Sequence, residues 1–562
     1  MSQPYVILPS PGSDQVDEWI KLGVTAHASG NLPQAQIHYG QALRLDPNNV
    51  IATQNLGVLF AQSNLMIEAL MAIERAILFD PSKALCHMNR ALMCLSCDRI
   101  EDALASARKA IEMEASAQTR LTLAMIYSTA GSPELAIPLY DQVLAEFPTH
   151  PIAGPNVCFA QTLTTATPKE LLEKRSQWHT NFGYKGDVLR HSNYKDMDRP
   201  IRIGYVSGDF KTHSAAMIFK PAVVKASQFL HTFLYSTLDV SDQDANTKAF
   251  KYFAGDRWRD ISKMSDEQAD ALIRQDGIDI LVDLAGHTNG GRLSLFTRRP
   301  APLQVTAWGF AHGTGCPEIQ YFFADPVAIP EAEREWYAEK IIDLPCIVSY
   351  APPQYDLKTT SQLPYWRNDF ITFGTYARYE KMNDQCLRMF ADILQRVPGS
   401  KLQFKDHGCR RPFAIERCRR VMSDIDPNRL LFSIATNHQE HMLSYQQADL
   451  ILDPYPHSGG VVCLEQLYMG VPMVTRYGTQ ASGRTSSSVL TAMKREAWIA
   501  HSHEEYVEIA VKMTDHPRQL ADIRKCLHDE FMASPVIVGY ADKVEEVYRE
   551  MWRKYCAQAS SY

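Results

Sequence analysis

Residues 453–472 read DPYPHSGGVVCLEQLYMGVP, and a short apolar strand, LILD, leads into them. A Pro/Gly turn follows the strand, and a helical pattern opens at Val461 or Val462. Gly459 and Gly460 stand where strand becomes helix. A glycine pair at such a junction is either a plain turn or a backbone that can approach a phosphate closely at a helix N-terminus. Glu465 lies about one turn deeper, among Val462, Leu464 and Leu467. From there a carboxylate can accept both hydroxyls of a ribose.

Outward from this unit the same alternation repeats. IRIGYVS (201–207), GIDILVDLAG (277–286) and LQVTAWG (303–309) read as buried strands. After a turn-rich stretch near 351–369 come DFITFGT, KLQFKD, RLLFS, LILD and PMVT, with helices such as DQCLRMFADILQRV between them. Strands alternating with helices mean parallel sheets with helical crossovers. Two such series predict two Rossmann-like domains with a cleft between them, 201–350 and 351–562. Ligands are expected beyond the carboxyl ends of the strands. The last helical stretch, YADKVEEVYREMWRKY, carries an apolar stripe and is expected to dock on the body of the protein.

Before residue 151 the pattern is different. From Val16 the sequence repeats with a period of 34 residues. Trp19, Leu22, Gly23, Gly30, Ala35, Tyr39, Ala42 and Pro47 are answered by Leu56, Gly57, Phe60, Ala69, Ala76 and Pro81. A third repeat, one residue shorter, has Ala91, Ala103 and Ala110, and a fourth has Ala124, Tyr127, Gly131, Ala136, Tyr140 and Pro148. This is the tetratricopeptide (TPR) pattern, and about four repeats over 16–150 form an α-solenoid. Asn55 and Asn89 hold the same position in repeats two and three. They are either two surface amides or a short ladder that grips a peptide backbone; Lys21 and Thr122 interrupt it in repeats one and four. Periodicity fails over 151–200, which ends in RHSNYKDMDRP and reads as a linker.

At 562 residues the chain is too long for one core. Its net charge of −7 argues against non-specific binding to nucleic acid or to an anionic membrane. The start, MSQPYVILPSPGSDQ, lacks the pattern of a secretory signal, and no apolar run is long enough to span a bilayer. Of the twelve cysteines, only Cys94 and Cys97 have CxxC spacing, inside a helical pattern, and all read as small buried thiols of a reducing cytoplasm. Asp196/Asp198 and Asp424/Asp426 sit in polar connectors, not at strand ends, and no His/Cys cluster has ligand spacing, so no metal site is expected.

Three further stretches follow strands. In GYVSGDFKTHSAAMIF a helix begins near His213 or Ser214. His213 is either a helix cap or an imidazole kept neutral by the helix N-terminus and able to accept a proton, with Asp209 to orient it. In DLAGHTNGGRLSLFTRRPAPLQVTAWGFAHGTG each histidine reads as a packed loop residue, whereas Gly309, Gly313 and Gly315 are expected to mark close backbone approach to a ligand. In FITFGTYARYEKMND, Lys381 is either a solvated loop charge or a cation that neutralises a departing diphosphate. His441, in SIATNHQEHMLSYQQADL, either stacks on a base or caps its helix.

Taken together, RIGYVSGDFKTH, GHTNGGR, RPAPLQVTAWG, the EKM around Lys381 and DPYPHSGGVVCLEQLYMGVPMVT resemble the TPR-containing protein O-GlcNAc transferases in their bacterial form. The resemblance implies a GT-B arrangement. It also implies inverting, metal-independent transfer of N-acetylglucosamine from UDP-GlcNAc to Ser or Thr of acceptor proteins. Carried over, Asp209, His213 and Lys381 are the catalytic group. The donor is expected at Glu465, His441, His457, Arg378, backbone at Thr436, and Gly459 through Val462; the acceptor is expected at Asn55 and Asn89. Animal members have His-Thr-Thr where this chain has Gly460, Val461 and Val462, so phosphate contacts move from hydroxyls to backbone amides. Arg378 stands in place of a glutamine, Glu380 of a tyrosine, His438 of a lysine and Ser444 of an arginine. Arg175 stands where many bacterial relatives have a linker histidine. A same-fold enzyme using UDP-glucose or another hexose, and a non-catalytic TPR scaffold, are the alternatives.

Overall fold

A computed structural model describes residues 5–8, 14–434 and 436–559. They form two compact units. One comprises residues up to Ala153 with Arg411–Glu416, and the other comprises Gly154–Arg410 with Arg417–Tyr562.

The first unit is built from α1 (Gln15–Ala28), α2 (Leu32–Leu45), α3 (Val50–Gln62), α4 (Met66–Phe79), α5 (Ala84–Ser96), α6 (Ile100–Met113), α7 (Ala117–Thr129) and α8 (Pro133–Glu146). These helices pack in consecutive pairs. The recurring small residues are where the repeat pattern places them. A Cβ on Gly23 would come within 2.5 Å of the Tyr39 ring, and one on Gly57 within 3.2 Å of the Ala69 carbonyl. Ala35, Ala69, Ala103 and Ala136 are fully buried at the crossings. Side chains of Asp14, Asn31, Asn49 and Ser116 accept first-turn amides and start α1, α2, α3 and α7.

The second unit holds two parallel sheets. The first comprises β1 (Ile201–Ser207), β2 (Leu230–Ser236), β3 (Trp258–Asp260), β4 (Ile280–Asp283), β5 (Leu303–Thr306), β6 (Tyr321–Ala324) and β7 (Lys340–Asp343). The second comprises β8 (Thr372–Thr375), β9 (Lys401–Lys405), β10 (Leu430–Ser433), β11 (Leu450–Leu452), β12 (Met473–Arg476) and β13 (Ile499–Ala500). Their orders are β3-β2-β1-β4-β5-β6-β7 and β10-β9-β8-β11-β12-β13. In both, the chain steps outward through three strands and then restarts beside the first. That reversal makes a switch point between β1 and β4, and another between β8 and β11, where crevices open for ligands.

Within 151–200 the chain forms the helices Ala153–Gln161 and Pro168–Phe182. The second opens on a capping box between Thr167 and Glu170 with Pro168 at its first turn. The final helix, Tyr540–Ala559, packs against the helix Ser214–Val223 that follows β1. Trp308 Nε1 donates to the Tyr540 hydroxyl at 2.9 Å, which in turn donates to the Cys346 carbonyl at 3.0 Å. One apolar cluster runs from Ile201 through Leu464 to Cys556. Among the described residues, no helix is long and apolar enough to cross a membrane.

Candidate active site

The motifs singled out in the sequence follow the strands that flank the two switch points. The stretch from Gly208 to His213 leaves β1, and the stretch containing His287 leaves β4. Arg378 and Lys381 follow β8, and Asp453 to Val462 follow β11.

The turn after β11 is organised by Asp453. Its carboxylate accepts the Gly459 amide at 2.9 Å and the Thr475 hydroxyl at 2.7 Å. A Cβ on Gly459 would stand 2.7 Å from Asp453 Oδ1, so the first glycine is required by this contact. Gly460 meets nothing within 4 Å and is open on its Cα side. It precedes the helix Val461–Tyr468, whose first turn has no side-chain cap. The orphan amides of that turn and the positive end of the helix dipole together favour an anion. Val461 contributes its side chain to the core instead of a hydroxyl to the turn.

Lys381 lies beside this turn, only 9% exposed, with Nζ donating to the Ser458 carbonyl at 2.8 Å. Burial, reinforced by the Arg378 charge, brings its pKa down to about 7 despite the opposing pull of Asp453. Burial raises Asp453 to about 6, tempered by its hydrogen bonds and by Lys381. Arg378 is exposed. His457 donates Nδ1–H to the Thr162 carbonyl at 3.1 Å, because a carbonyl only accepts. Burial holds His457 neutral, assisted by the fields of Lys381 and of His312.

His312 is one of the histidines read from the sequence only as a packed loop residue. It lies in the loop after β5, 2% exposed, and among the described residues neither buried ring nitrogen has a hydrogen-bond partner. Burial and the charges of Arg175 and Arg484 keep the imidazole neutral. A buried ring with two unpaired nitrogens is costly unless a polar group fills the space beside it. The fields of His312 from the first half and of Lys381 from the second both act on His457, so this cluster joins the two sheets.

The loop holding His312 also changes the reading of its glycines. A Cβ on Gly309 would collide with the Leu284 carbonyl at 1.7 Å. On Gly315 it would meet Arg175 Cβ at 2.6 Å, and on Gly313 it would meet Glu339 Oε2 at 2.7 Å; both these glycines have positive φ. The close approach expected there is to the protein's own backbone and side chains. Arg175 is buried, with Nη1 donating to the Gly313 carbonyl at 3.1 Å. It fastens the helix Pro168–Phe182 to this loop.

Glu465 is 3% exposed, and both carboxylate oxygens have partners. His438 Nε2 is 2.9 Å from Oε1, and the Tyr445 hydroxyl donates to Oε2 at 3.0 Å. His441 Nε2 lies 3.4 Å from Oε2 and 3.0 Å from the Tyr445 hydroxyl. Burial raises the Glu465 pKa, but His438 and His441 outweigh it and bring it down to about 2. His438 is held on its other side by Tyr355, whose hydroxyl bonds Nδ1. The His441 ring sits edge-on to Tyr376, with centroids 5.8 Å apart. Thr436 is exposed and accepts the Lys405 ammonium at 3.1 Å. An open cavity of about 530 Å³ adjoins this group, lined by Lys405, Phe432, Ile434, Thr436 and Leu443 among others.

On the first sheet, His213 is the N-cap of the helix Ser214–Val223 and accepts the Ala215 amide at Nδ1, 3.3 Å away. The same nitrogen is 3.4 Å from Asp209 Oδ1. These two partners make opposite demands. The amide needs a lone pair on Nδ1 and so leaves the proton on Nε2, whereas an ionised Asp209 needs a proton on Nδ1 and so frees Nε2 to act as a base. Burial raises the Asp209 pKa, opposed by His213 and Lys211. His213 is exposed. Among the described residues no group of three or more His, Cys, Asp or Glu is arranged to hold a metal ion. Asp424 pairs with Arg388, and Asp196 accepts the Asp198 amide. Asn55 and Asn89 lie in the TPR unit, fully buried on α3 and α5.

Comparison with known proteins bears on the family and the fold. The family model described as glycosyl transferase family 41 matches residues 179–349 and 346–541, and a tetratricopeptide repeat model matches residues 20–84. The chain is 32% identical over 419 residues to the probable UDP-N-acetylglucosamine--peptide N-acetylglucosaminyltransferase SPINDLY of Solanum lycopersicum, covering 72% of this chain and 44% of that protein. Against SPINDLY of Arabidopsis thaliana the identity is 32% over 403 residues, covering 68% of this chain and 43% of that protein. The chain thus spans less than half the length of these curated relatives. Among solved structures, a mutant of the Thermobaculum terrenum O-GlcNAc transferase superimposes with a TM-score of 0.73 at 25% identity, covering 98% of this chain and 100% of that one. With two sheets that share one topology, a buried lysine beside an uncapped helix, and a family model matched over both halves, this chain belongs to glycosyl transferase family 41.

Proposed function

We propose that this chain is an inverting protein O-glycosyltransferase that moves N-acetylglucosamine from UDP-GlcNAc to Ser or Thr hydroxyls of acceptor proteins recruited by the TPR groove. The names of its relatives support the donor and the peptide acceptor. The observation that carries the reading is Lys381, a buried cation 2.8 Å from the Ser458 carbonyl at the mouth of an uncapped helix. Burial and Arg378 outweigh the pull of Asp453 and Glu380 on it, and a diphosphate would add negative charge there.

In this reading the donor diphosphate lies on the amides of Gly460, Val461 and Val462 with Lys381 alongside. His312 and His457 face the sugar and phosphate. The ribose replaces the imidazole and phenol partners of Glu465, and the base lies by His441 and the Thr436 backbone, with Arg378 at the rim. The acceptor oxygen attacks the anomeric carbon from the face opposite the departing UDP. As that bond forms, the bond from the anomeric carbon to the β-phosphate oxygen breaks and its electron pair leaves with UDP. The hydroxyl proton passes to His213 at Nε2, with Asp209 holding Nδ1–H. Lys381 and the helix amides supply the positive charge the leaving group needs. We read the reaction as metal-independent on that basis, and undiminished turnover in EDTA checks it. Among the described residues no cysteine is in a disulfide, which suits a cytoplasmic enzyme.

Lys381→Ala tests the assignment. Because charge on the diphosphate grows in the transition state, kcat is expected to fall on the order of a hundredfold or more. Unchanged turnover would remove Lys381 from the mechanism.

A further inference from the structure

Residues Tyr5–Leu8 lie along the asparagines of the TPR unit. The Val6 amide donates to Asn89 Oδ1 at 3.1 Å, and Asn89 Nδ2 donates back to the Val6 carbonyl at 2.8 Å. One repeat earlier, the Leu8 amide donates to Asn55 Oδ1 at 2.7 Å, and Asn55 Nδ2 donates to the Leu8 carbonyl at 2.8 Å. Gln54 Nε2 adds a contact to the Val6 carbonyl at 3.1 Å and steadies Asn55 Oδ1 at 3.0 Å. Each asparagine therefore reads both polar groups of one peptide residue, as a neighbouring strand would. Two residues of extended chain match one repeat. The segment runs from repeat three to repeat two, opposite to the order of the repeats.

The side chains add selectivity to this main-chain grip. Tyr5 and Ile7 pack on the cluster of Val58, Ala61, Ile73 and Met93. The Tyr5 hydroxyl reaches Ser96 Oγ at 3.1 Å. Thr122, at the equivalent place in repeat four, turns its hydroxyl back to the Gln118 carbonyl of its own helix and offers no such grip. Asn55, Asn89 and Gln54 are fully buried beneath the segment. Lifting it away would expose three amide side chains and an apolar patch built for one aromatic and one aliphatic side chain.

We propose that Tyr5–Leu8 is an internal occupant of a peptide groove. The external partner of that groove is an extended peptide with an aromatic residue where Tyr5 lies and an aliphatic residue two places on. Segment and partner exclude each other. The inference deepens the proposed function by describing what the groove recruits. It rests on contacts within the TPR unit, so binding measured without any donor separates its failure from a failure of transfer.

The test uses the full-length chain and a fluorescein-labelled peptide QPYVILPS, the sequence of residues 3–10, read by anisotropy. A segment tethered on the same chain acts at an effective concentration on the order of mM, so freeing the groove with Tyr5→Ser and Ile7→Ser is expected to tighten peptide binding at least about tenfold. Adding Asn55→Ala and Asn89→Ala should abolish the gain. The same peptide N-methylated at its Val and Leu amides lacks the two donated hydrogens and should fail to bind the freed chain, a result that does not depend on how any asparagine variant folds. Equal binding to the wild-type and freed chains, or undiminished binding of the methylated peptide, would overturn the proposal.

Discussion

Lys381 is a cation that solvent barely reaches, and its ionisation is the most direct handle on the site. Its pKa of about 7 in the folded chain lies below the ordinary lysine value of 10.5. Between those values the unfolded chain holds the proton and the folded chain does not, so this residue's contribution to stability rises with pH across that window. Below about 7 both states are protonated and the full cost of burying the charge remains. Lys381→Met should therefore raise the thermal unfolding midpoint more at pH 6 than at pH 9. Ligand affinity should move the other way. A diphosphate favours the charged amine, so UDP binding to the wild-type chain should weaken as pH climbs above 7, and the Met variant should lose that slope. Calorimetric titration of UDP at several pH values reads both. Lys381 was legible as a candidate from its place after a strand; its burial was not, because burial depends on the turn after β11 closing over it. His312 was legible as a packed loop residue, but its unmet ring nitrogens were not. A histidine in a glycine-rich loop is ordinarily satisfied, and only the packed structure shows two nitrogens left without partners.

At the scale of the strand–turn–helix element, the two glycines have separate tasks. Gly459 gives way to the Asp453 carboxylate, whereas Gly460 faces open space. Gly459→Ala pushes a methyl into a buried hydrogen-bonded carboxylate and should destabilise by about 1–3 kcal/mol in urea unfolding. Gly460→Ala should leave stability within about 0.5 kcal/mol and, if the proposed diphosphate lies on this turn, weaken UDP binding, because the methyl enters that open space. The alternation of strands and helices was readable from hydrophobic runs, and the named strands of both sheets form. β3 and β13, with three and two residues, are too short to carry a period. The glycines of the loop after β5 were misread for a physical reason. A glycine reports that a Cβ has no room, but not whether ligand or backbone fills the room. At Gly309 and Gly315 it is Leu284 and Arg175.

Across the whole second unit, the last helix returns to the first sheet and packs on its core. The relay from Trp308 through the Tyr540 hydroxyl to the Cys346 carbonyl is buried at every step. Tyr540→Phe leaves an indole N–H and a carbonyl unpaired and should cost about 1–3 kcal/mol of unfolding free energy. The sequence identified that helix by its apolar stripe, but a stripe does not name its partner, and only the packing reveals a return across the unit. The asparagine ladder was visible as two residues one repeat apart, and its occupant was not. The claim that organises the rest is that a nucleotide-sugar sits where Lys381, Gly460 and Glu465 converge and passes its sugar to a protein hydroxyl. The direct measurement is intact-protein mass spectrometry of a Ser/Thr-containing acceptor after incubation with this chain and either UDP-GlcNAc or UDP-glucose. The account predicts addition of one N-acetylhexosamine from UDP-GlcNAc, lost in Lys381→Ala. Addition of hexose alone would contradict the donor assignment, and no transfer together with no binding of UDP would contradict the account as a whole.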